Sequence, residues 1–278
     1  VGFIGVGQRG IGHVKHFCHL DGVEIKAICD THDDTLDRAI QAVVEKGHPR
    51  PERIGGGDYA YRRLLERQDI DIVLISHNHY DHLDLPTLEA LVHQQPDEPP
   101  RIYVPAKLGD WLARQGIAVA AQLDWWESAD DGGWRLHAVP VQHFSARTPF
   151  DRNATLWSGW VLEHSDGFRF FFAGDTGYTP DFAEIGRRFG SIDLAAIPIG
   201  AYEPRWFMKP MHMNPEEAVQ AHLDVRAKQS VAIHWGTFRL TDEPLAEPPQ
   251  RLAAARAAAG LAEEAFLVLR HGETVALD

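Results

Sequence analysis

Cysteine is scarce. The 278 residues hold two, Cys18 and Cys29, too few for a disulfide scaffold or a four-thiolate zinc site. No apolar run reaches the ~18 residues that a membrane-spanning helix needs; the longest, such as 71–76 and 168–174, are strand-sized. Positive charge is short as well: 27 Lys and Arg against 40 Asp and Glu give a formal charge of −13. That balance excludes nucleic-acid binding by broad neutralisation of phosphates, though not a pocket that takes one phosphate at a metal. No G-x-S-x-G segment is present, which removes the strained serine elbow of one large hydrolase class. Residue 1 is Val and already lies in an apolar strand pattern. The native N-terminus is therefore expected to be missing, no export signal can be read, and a cytoplasmic location is the expectation. Histidine is the excess, at 16 residues, and it points toward metal. The hydrophobic share of 44% is that of an ordinary globular chain.

The chain changes character partway along. All eight tryptophans lie at or after Trp111. Residues 1–75 carry 10 Lys and Arg against 12 Asp and Glu, whereas the remainder carry 17 against 28. The first part reads as short strands (1–6, 23–29, 70–76) alternating with helices (11–20, 35–46, 59–67), the pattern of parallel βαβ units. The second part holds more strands, at 102–104, 134–141, 156–163, 168–173, 194–199, 231–233 and 266–269. Helices are expected at 85–94, after Thr179-Pro180 with Thr179 as N-cap, after Asn214-Pro215-Glu216-Glu217 with a capping box, and at 250–259. Layered sheets covered by helices follow. The expected domains are 1–75, a Rossmann-like βαβ segment, and 76–278, a hydrolase domain.

The strongest local signal is His77-Asn78-His79-Tyr80-Asp81-His82. Four ligand-type side chains fall in six positions directly after the buried strand at 70–76, and so much coordinating capacity beside a hydrophobic strand is costly to bury unpaired. Three further candidates, His143, Asp175 and His234, each follow an apolar strand of their own. If those strand ends share one edge, seven side chains converge. Their number suits two ions: His77, His79 and His143 on one, Asp81, His82 and His234 on the other, with Asp175 bridging through its two oxygens. Imidazole and carboxylate suit zinc, and also manganese or iron.

This pattern resembles the dinuclear metallo-β-lactamase superfamily, and in particular its branch of N-acyl-phosphatidylethanolamine-hydrolysing phospholipase D proteins and bacterial relatives. The stretches that carry the resemblance include Asp124-Trp125-Trp126-Glu127-Ser128, Asp151-Arg152-Asn153, Gly174-Asp175-Thr176-Gly177-Tyr178, Gly200-Ala201-Tyr202-Glu203-Pro204-Arg205-Trp206, His212-x-Asn214-Pro215-Glu216-Glu217 and Ile233-His234-Trp235-Gly236-Thr237. It runs over about 71–278. It implies an αββα sandwich, the seven ligands already named, and two Zn2+ (or Mn or Fe) ions. Strands that the family carries ahead of its metal motif are missing here. The first sheet is therefore expected to be short, or to be completed by the Rossmann-like strands pairing beside 70–76.

Gly5-Val6-Gly7-Gln8-Arg9-Gly10 is G-x-G-x-x-G after a strand, and Asp30 ends the next strand 20 residues beyond Gly10. Gly5, Gly7, Gly10 and Asp30 are thus the candidate NAD(P)-binding residues. Residues 1–75 resemble the N-terminal half of the Rossmann domain of Gfo/Idh/MocA oxidoreductases and their glycosidase relatives. The family's catalytic Glu-Lys-Pro and its large C-terminal sheet domain are absent, so the chain reads as a fusion of two families.

The expected activity is hydrolysis of a phosphodiester, a phospholipid among the candidates, by a hydroxide bridging two ions. Asp81 is the ligand expected to orient that hydroxide. His212 is expected to give a proton to the leaving group or to contact substrate, or else to be a polar residue at the start of a helix. Trp206, Phe207 and Met208 are read as loop packing ahead of an acyl-chain wall, Trp125 and Trp126 as core, and His13, His16 and His19 as solvent-facing. Partners are a lipid or small-molecule phosphodiester and, at most, a peripheral membrane contact; no transmembrane segment and no nucleic acid are expected, and the oligomeric state is not specified. The alternatives are an NAD(P)-dependent oxidoreductase or dinucleotide-binding module, and an inactive fusion.

Overall fold

The computed structural model describes residues 2–4, 27–29, 33–47, 49–54, 71–237 and 239–269. The chain forms two compact units, one of residues 1–70, 93–97 and 269–278 and one of residues 71–92 and 98–268. In the first, β1 (Gly2–Ile4), β2 (Ala27–Cys29) and β3 (Glu52–Ile54) make a parallel sheet in the order β1-β2-β3. Helix α1 (Asp33–Glu45) connects β2 to β3 and buries Ile40 and Val43, two of the positions read as its apolar face.

The second unit has two sheets. β4 (Ile72–Leu74), β5 (Arg101–Pro105) and β6 (Ala121–Leu123) form a parallel sheet of three. β7 (Ser128–Asp131), β8 (Trp134–Val139), β9 (Gly159–His164), β10 (Arg169–Phe172), β11 (Ile192–Pro198), β12 (Ala227–Ile233) and β13 (Phe266–Leu267) form a mixed sheet of seven in the order β13-β12-β11-β10-β9-β8-β7. Period-two alternation assigns each residue its layer. Trp160 faces the small sheet, packing with Tyr103, Leu123, Leu136 and Ala138. Its neighbour Val161 faces the other way, into a core with Phe171, Ile197, Phe182 and Ala218. That outer core is closed by α4 (Asp181–Phe189), α6 (Pro215–Asp224) and α7 (Glu247–Ala258). On the far side of the small sheet, α2 (Leu85–Gln94) and α3 (Leu108–Arg114) cover Ile75, Ile102 and Val104. The layers run helix, sheet, sheet, helix, as the resemblance implies.

Among the described residues the small sheet holds three strands, with β4 at its edge beside β5, short as expected. One expectation changes. Thr179 is not the N-cap residue: α4 starts at Asp181 with Pro180 at its boundary, and one position further out the Thr179 hydroxyl donates to the Asp181 carboxylate at 2.7 Å and accepts from the Asp181 amide at 3.4 Å. The capping box at Asn214 forms in full, with Pro215 as the first helical residue.

One support of the loop after β11 carries no sequence signal. The buried carboxylate of Glu243 accepts from the backbone N–H groups of Ala201 (2.6 Å), Tyr202 (3.2 Å) and Glu203 (3.0 Å). Burial opposes the charge, but these bonds and one from Thr241 hold the carboxyl below its usual range. A depressed carboxyl contributes stability above its unfolded pKa, and that contribution is lost as pH falls through the folded value. Glu243→Gln is therefore expected to destabilise the protein by about 1–3 kcal/mol at pH 7, with the gap to wild type narrowing below about pH 4. Urea melts at the two pH values check it; equal stabilities at pH 7 would refute the role.

Candidate metal centre

Four strand ends meet at one edge of the sandwich. β4 ends before Ser76, whose hydroxyl pairs with His77 Nδ1 at 3.0 Å and leaves Nε2 facing the site. His77 Nε2 lies 2.8 Å from His79 Nδ1, which lies 3.3 Å from His143 Nε2. His143 donates its Nδ1 proton to the carbonyl of Met211 at 3.0 Å, so its Nε2 carries a lone pair. Three ring nitrogens thus converge, at separations close to the ~3.3 Å edge of a tetrahedral zinc–imidazole site. They cannot all be satisfied by sharing protons among themselves, and a cation satisfies all three.

A second group lies alongside. His82 Nε2 is 3.0 Å from Asp175 Oδ2 and 3.5 Å from Asp81 Oδ2, and His234 Nε2 is 3.2 Å from Asp175 Oδ1. Asp175 Oδ2 is also 3.9 Å from His143 Nε2, so this one carboxylate, 4% exposed, touches both groups. His77, His79 and His143 form one potential ligand set, and Asp81, His82, Asp175 and His234 another. The seven residues singled out in the sequence are brought together at this edge, and His143 and Asp175 also form a third potential set with His212.

The backbone shows why neighbouring positions are constrained. Gly174, between β10 and Asp175, has φ +63°, and a Cβ there would sit 2.8 Å from Ser76 Cβ. A Cβ on Gly200, after β11, would collide with the carbonyl oxygen of His234. His234 itself holds φ +56°, a left-handed conformation that is rare for residues other than glycine and gathers at functional sites.

The electrostatics divide the groups. Burial pushes His77 well below its ordinary value, with His82 and His143 adding to the effect, and pushes His143 down to about 3. Burial also lowers His79. These imidazoles are neutral at pH 7, the form that binds metal. Burial acts against protonation of His82 too, but its bonds to Asp175 and Asp81 prevail and raise it to about 10. Asp175 is held well below the carboxylate range, despite burial, by His234 and His82. Here a proton on His82 occupies the place where a cation would neutralise Asp175. The donor set fits divalent metal.

His212 sits at the rim. Its ring lies 5.3 Å from that of His143 and 5.4 Å from that of His234, its Nδ1 is buried with no partner among the described residues, and burial lowers it to about 4. The side chain is thus neutral at pH 7, with one ring N–H to donate. Trp206 and Phe207, read as packed, are 83% and 54% exposed. They lie on the single-turn helix α5 (Arg205–Met208), and Trp206 lines a cleft of about 420 Å³ together with Gln142, Tyr178 and Lys209. Trp125 and Trp126 are half-buried: Trp125 donates to the carbonyl of Trp157 at 2.6 Å and Trp126 packs on the outer core. Gly5, Gly7, Gly10, Asp30, His13, His16 and His19 lie outside the described residues.

Comparison with known proteins agrees with this geometry. The family described as the beta-lactamase superfamily domain matches residues 51–235. N-acyl-phosphatidylethanolamine-hydrolyzing phospholipase D 1 of Caenorhabditis elegans is 42% identical over 201 residues, which is 68% of this chain and 56% of that protein. The chain spans about half the length of such curated relatives. A separate similarity, 67% identity over 76 residues, links 27% of the chain to 17% of a glycosyl hydrolase family 109 protein of Shewanella pealeana. Among solved structures, Igni18, a metallo hydrolase of Ignicoccus hospitalis, shares the fold with a TM-score of 0.56 and 24% identity, covering 74% of this chain and 78% of that one. Strand ends that deliver histidines and aspartates to one edge of a two-sheet sandwich, and a family match that spans that edge, have the same explanation: this chain belongs to the metallo-β-lactamase superfamily.

Proposed function

We propose that the chain is a dinuclear metal-dependent hydrolase of phosphodiesters, with lipid diesters as the leading substrate class. The observation that carries the reading is Asp175, one buried carboxylate in reach of both ligand groups. Two divalent ions held there lower the pKa of water and stabilise charge on the attacked and leaving oxygens. The chain's own residues supply the rest. Asp81, about half exposed at its side chain, orients the attacking water from the solvent side. His212 offers a neutral N–H to substrate. Identity to the phospholipase D of Caenorhabditis elegans supports the diester and lipid classes. The exposed Trp206 and Phe207, beside Lys209, suit a peripheral contact with an anionic lipid surface. No helix among the described residues is long and apolar enough to cross a membrane.

The test is metal analysis of the purified chain together with hydrolysis of bis(p-nitrophenyl) phosphate and of N-acyl-phosphatidylethanolamine. About two ions per chain and turnover of either diester are expected. A chain that binds no zinc, manganese or iron and cleaves neither sinks the proposal.

A second reading has one specific support. The 76-residue similarity to a glycosyl hydrolase family 109 protein suits a Rossmann-like module over residues 1–75, a domain of separate origin with Gly5, Gly7, Gly10 and Asp30 at an NAD(P) site. A dinucleotide titration that leaves the fluorescence and melting temperature of the chain unchanged removes it.

A further inference from the structure

We propose that Arg147 is a positioning residue that fixes how the turn 79–82 divides its ligands between the two ions; the inference rests on the dinuclear reading above. Nη1 of Arg147 donates to the carbonyl of Asn78 at 2.9 Å and to that of Leu83 at 2.8 Å. Those two carbonyls bracket His79, Asp81 and His82. Within the bracket, the His82 and Leu83 amides both donate to the carbonyl of His79, at 3.1 and 2.8 Å, so the turn is tight. One guanidinium nitrogen therefore ties together the two ends of the segment that sends His79 to one ligand set and Asp81 and His82 to the other.

The guanidinium itself lies against two aromatic rings. Its carbon lies 4.0 Å from the centre of the Tyr80 ring and 4.9 Å from that of Trp111. The loop that carries Arg147 is folded by Asp151, whose carboxylate accepts from the Arg147 amide at 3.0 Å, the Thr148 amide at 2.7 Å and the Thr148 hydroxyl at 3.0 Å. Among the described residues Arg147 has no carboxylate partner. A bare positive charge next to a site built for two dications is electrostatically unfavourable. Its retention there needs a geometric return, and the paired carbonyl bonds supply one. Lysine has donors enough for both carbonyls but lacks the planar guanidinium that lies against the Tyr80 and Trp111 rings.

The experiment compares wild type with Arg147→Lys and Arg147→Ala in the full chain. Zn2+ affinity is measured by competition with a chromophoric chelator, and the melting temperature of each EDTA-treated chain is measured in parallel. Affinity for the more weakly held ion is expected to fall on the order of 10–100-fold, while the metal-free melting temperature moves by no more than about 4 °C. Millimolar guanidinium added to Arg147→Ala is expected to recover part of the affinity, which a merely structural loss would not allow. If the alanine variant does not fold, the lysine variant carries the test, since it keeps the charge and the donors but not the planar fork. Unchanged Zn2+ affinity in a folded variant, or a loss of affinity that only follows loss of folding, overturns the proposal. A wild-type chain that binds no pair of ions overturns the dinuclear reading instead, and this inference with it.

Discussion

Asp175→Asn is expected to leave at most one tightly held ion per chain and to lower diester hydrolysis by about four orders of magnitude or more, equivalent to roughly 5–6 kcal/mol of lost transition-state stabilisation. The amide keeps the shape and one acceptor oxygen. It loses the charge that both ligand groups share, since Asp175 lies 3.0 Å from His82, 3.2 Å from His234 and 3.9 Å from His143. Metal analysis beside steady-state rates checks it, and two ions retained with full activity would refute the bridging role. The same substitution reports on the metal-free chain. There the Asp175 carboxylate and a protonated His82 form a buried pair, and breaking one side of such a pair costs about 3–5 kcal/mol. The sign with pH follows from the two groups. The His82 value is raised from 6.5 to about 10, so its contribution is full below 6.5 and fades as pH rises toward 10. The Asp175 value is depressed from 3.8, so its contribution is present above 3.8 and lost in acid. In EDTA the stability gap between wild type and Asp175→Asn is therefore greatest between about pH 4 and 6.5, as urea melts would show.

His212→Ala is expected to keep both ions and to lower kcat by about 10²–10³-fold. The side chain lies beside both ligand groups, and the two residues with which it forms a third potential set, His143 and Asp175, already belong to those groups. Burial lowers the His212 pKa to about 4, so its imidazole is neutral at pH 7 and has one ring N–H to offer the leaving oxygen. Such a donor matters most where the leaving oxygen is a poor leaving group. The defect is expected to be larger for an alkyl diester than for a nitrophenyl diester, whose leaving group needs little help. Kinetics with both substrates beside metal analysis decide the matter. Loss of one ion in the variant would make His212 a ligand, and an equal defect for both substrates would remove it from the leaving-group side.

The parts of this protein legible in its sequence are those with a local signature. A run of six with four ligand-type side chains behind a buried strand needs no partner to be noticed, and the capping box at Asn214 is complete within four residues. Shorter or less regular elements left no such trace. β7 reads Ser-Ala-Asp-Asp, with no hydrophobic alternation. It is an edge strand, where charge is tolerated, and Asp131 joins the two sheets by accepting from Arg101 at 2.6 Å and Tyr103 at 2.7 Å. The exposure of Trp206 and Phe207 reverses the packed reading for a related reason: apolar character states a preference for burial, and only the neighbours that the fold provides decide whether it is met.

Residue chemistry and strand pattern by themselves determined that imidazoles and carboxylates follow four apolar strands, and that such a set suits divalent cations. Tertiary structure alone decided that Arg147 reaches back 69 residues to Asn78, and that Glu243 supports a loop some forty residues before it. Contacts so far apart along the chain have no periodicity to read. They arise when hydrophobic layers close on one another and bring distant loops to the same edge, and a polar group there is fixed by whichever partner that closure leaves within reach.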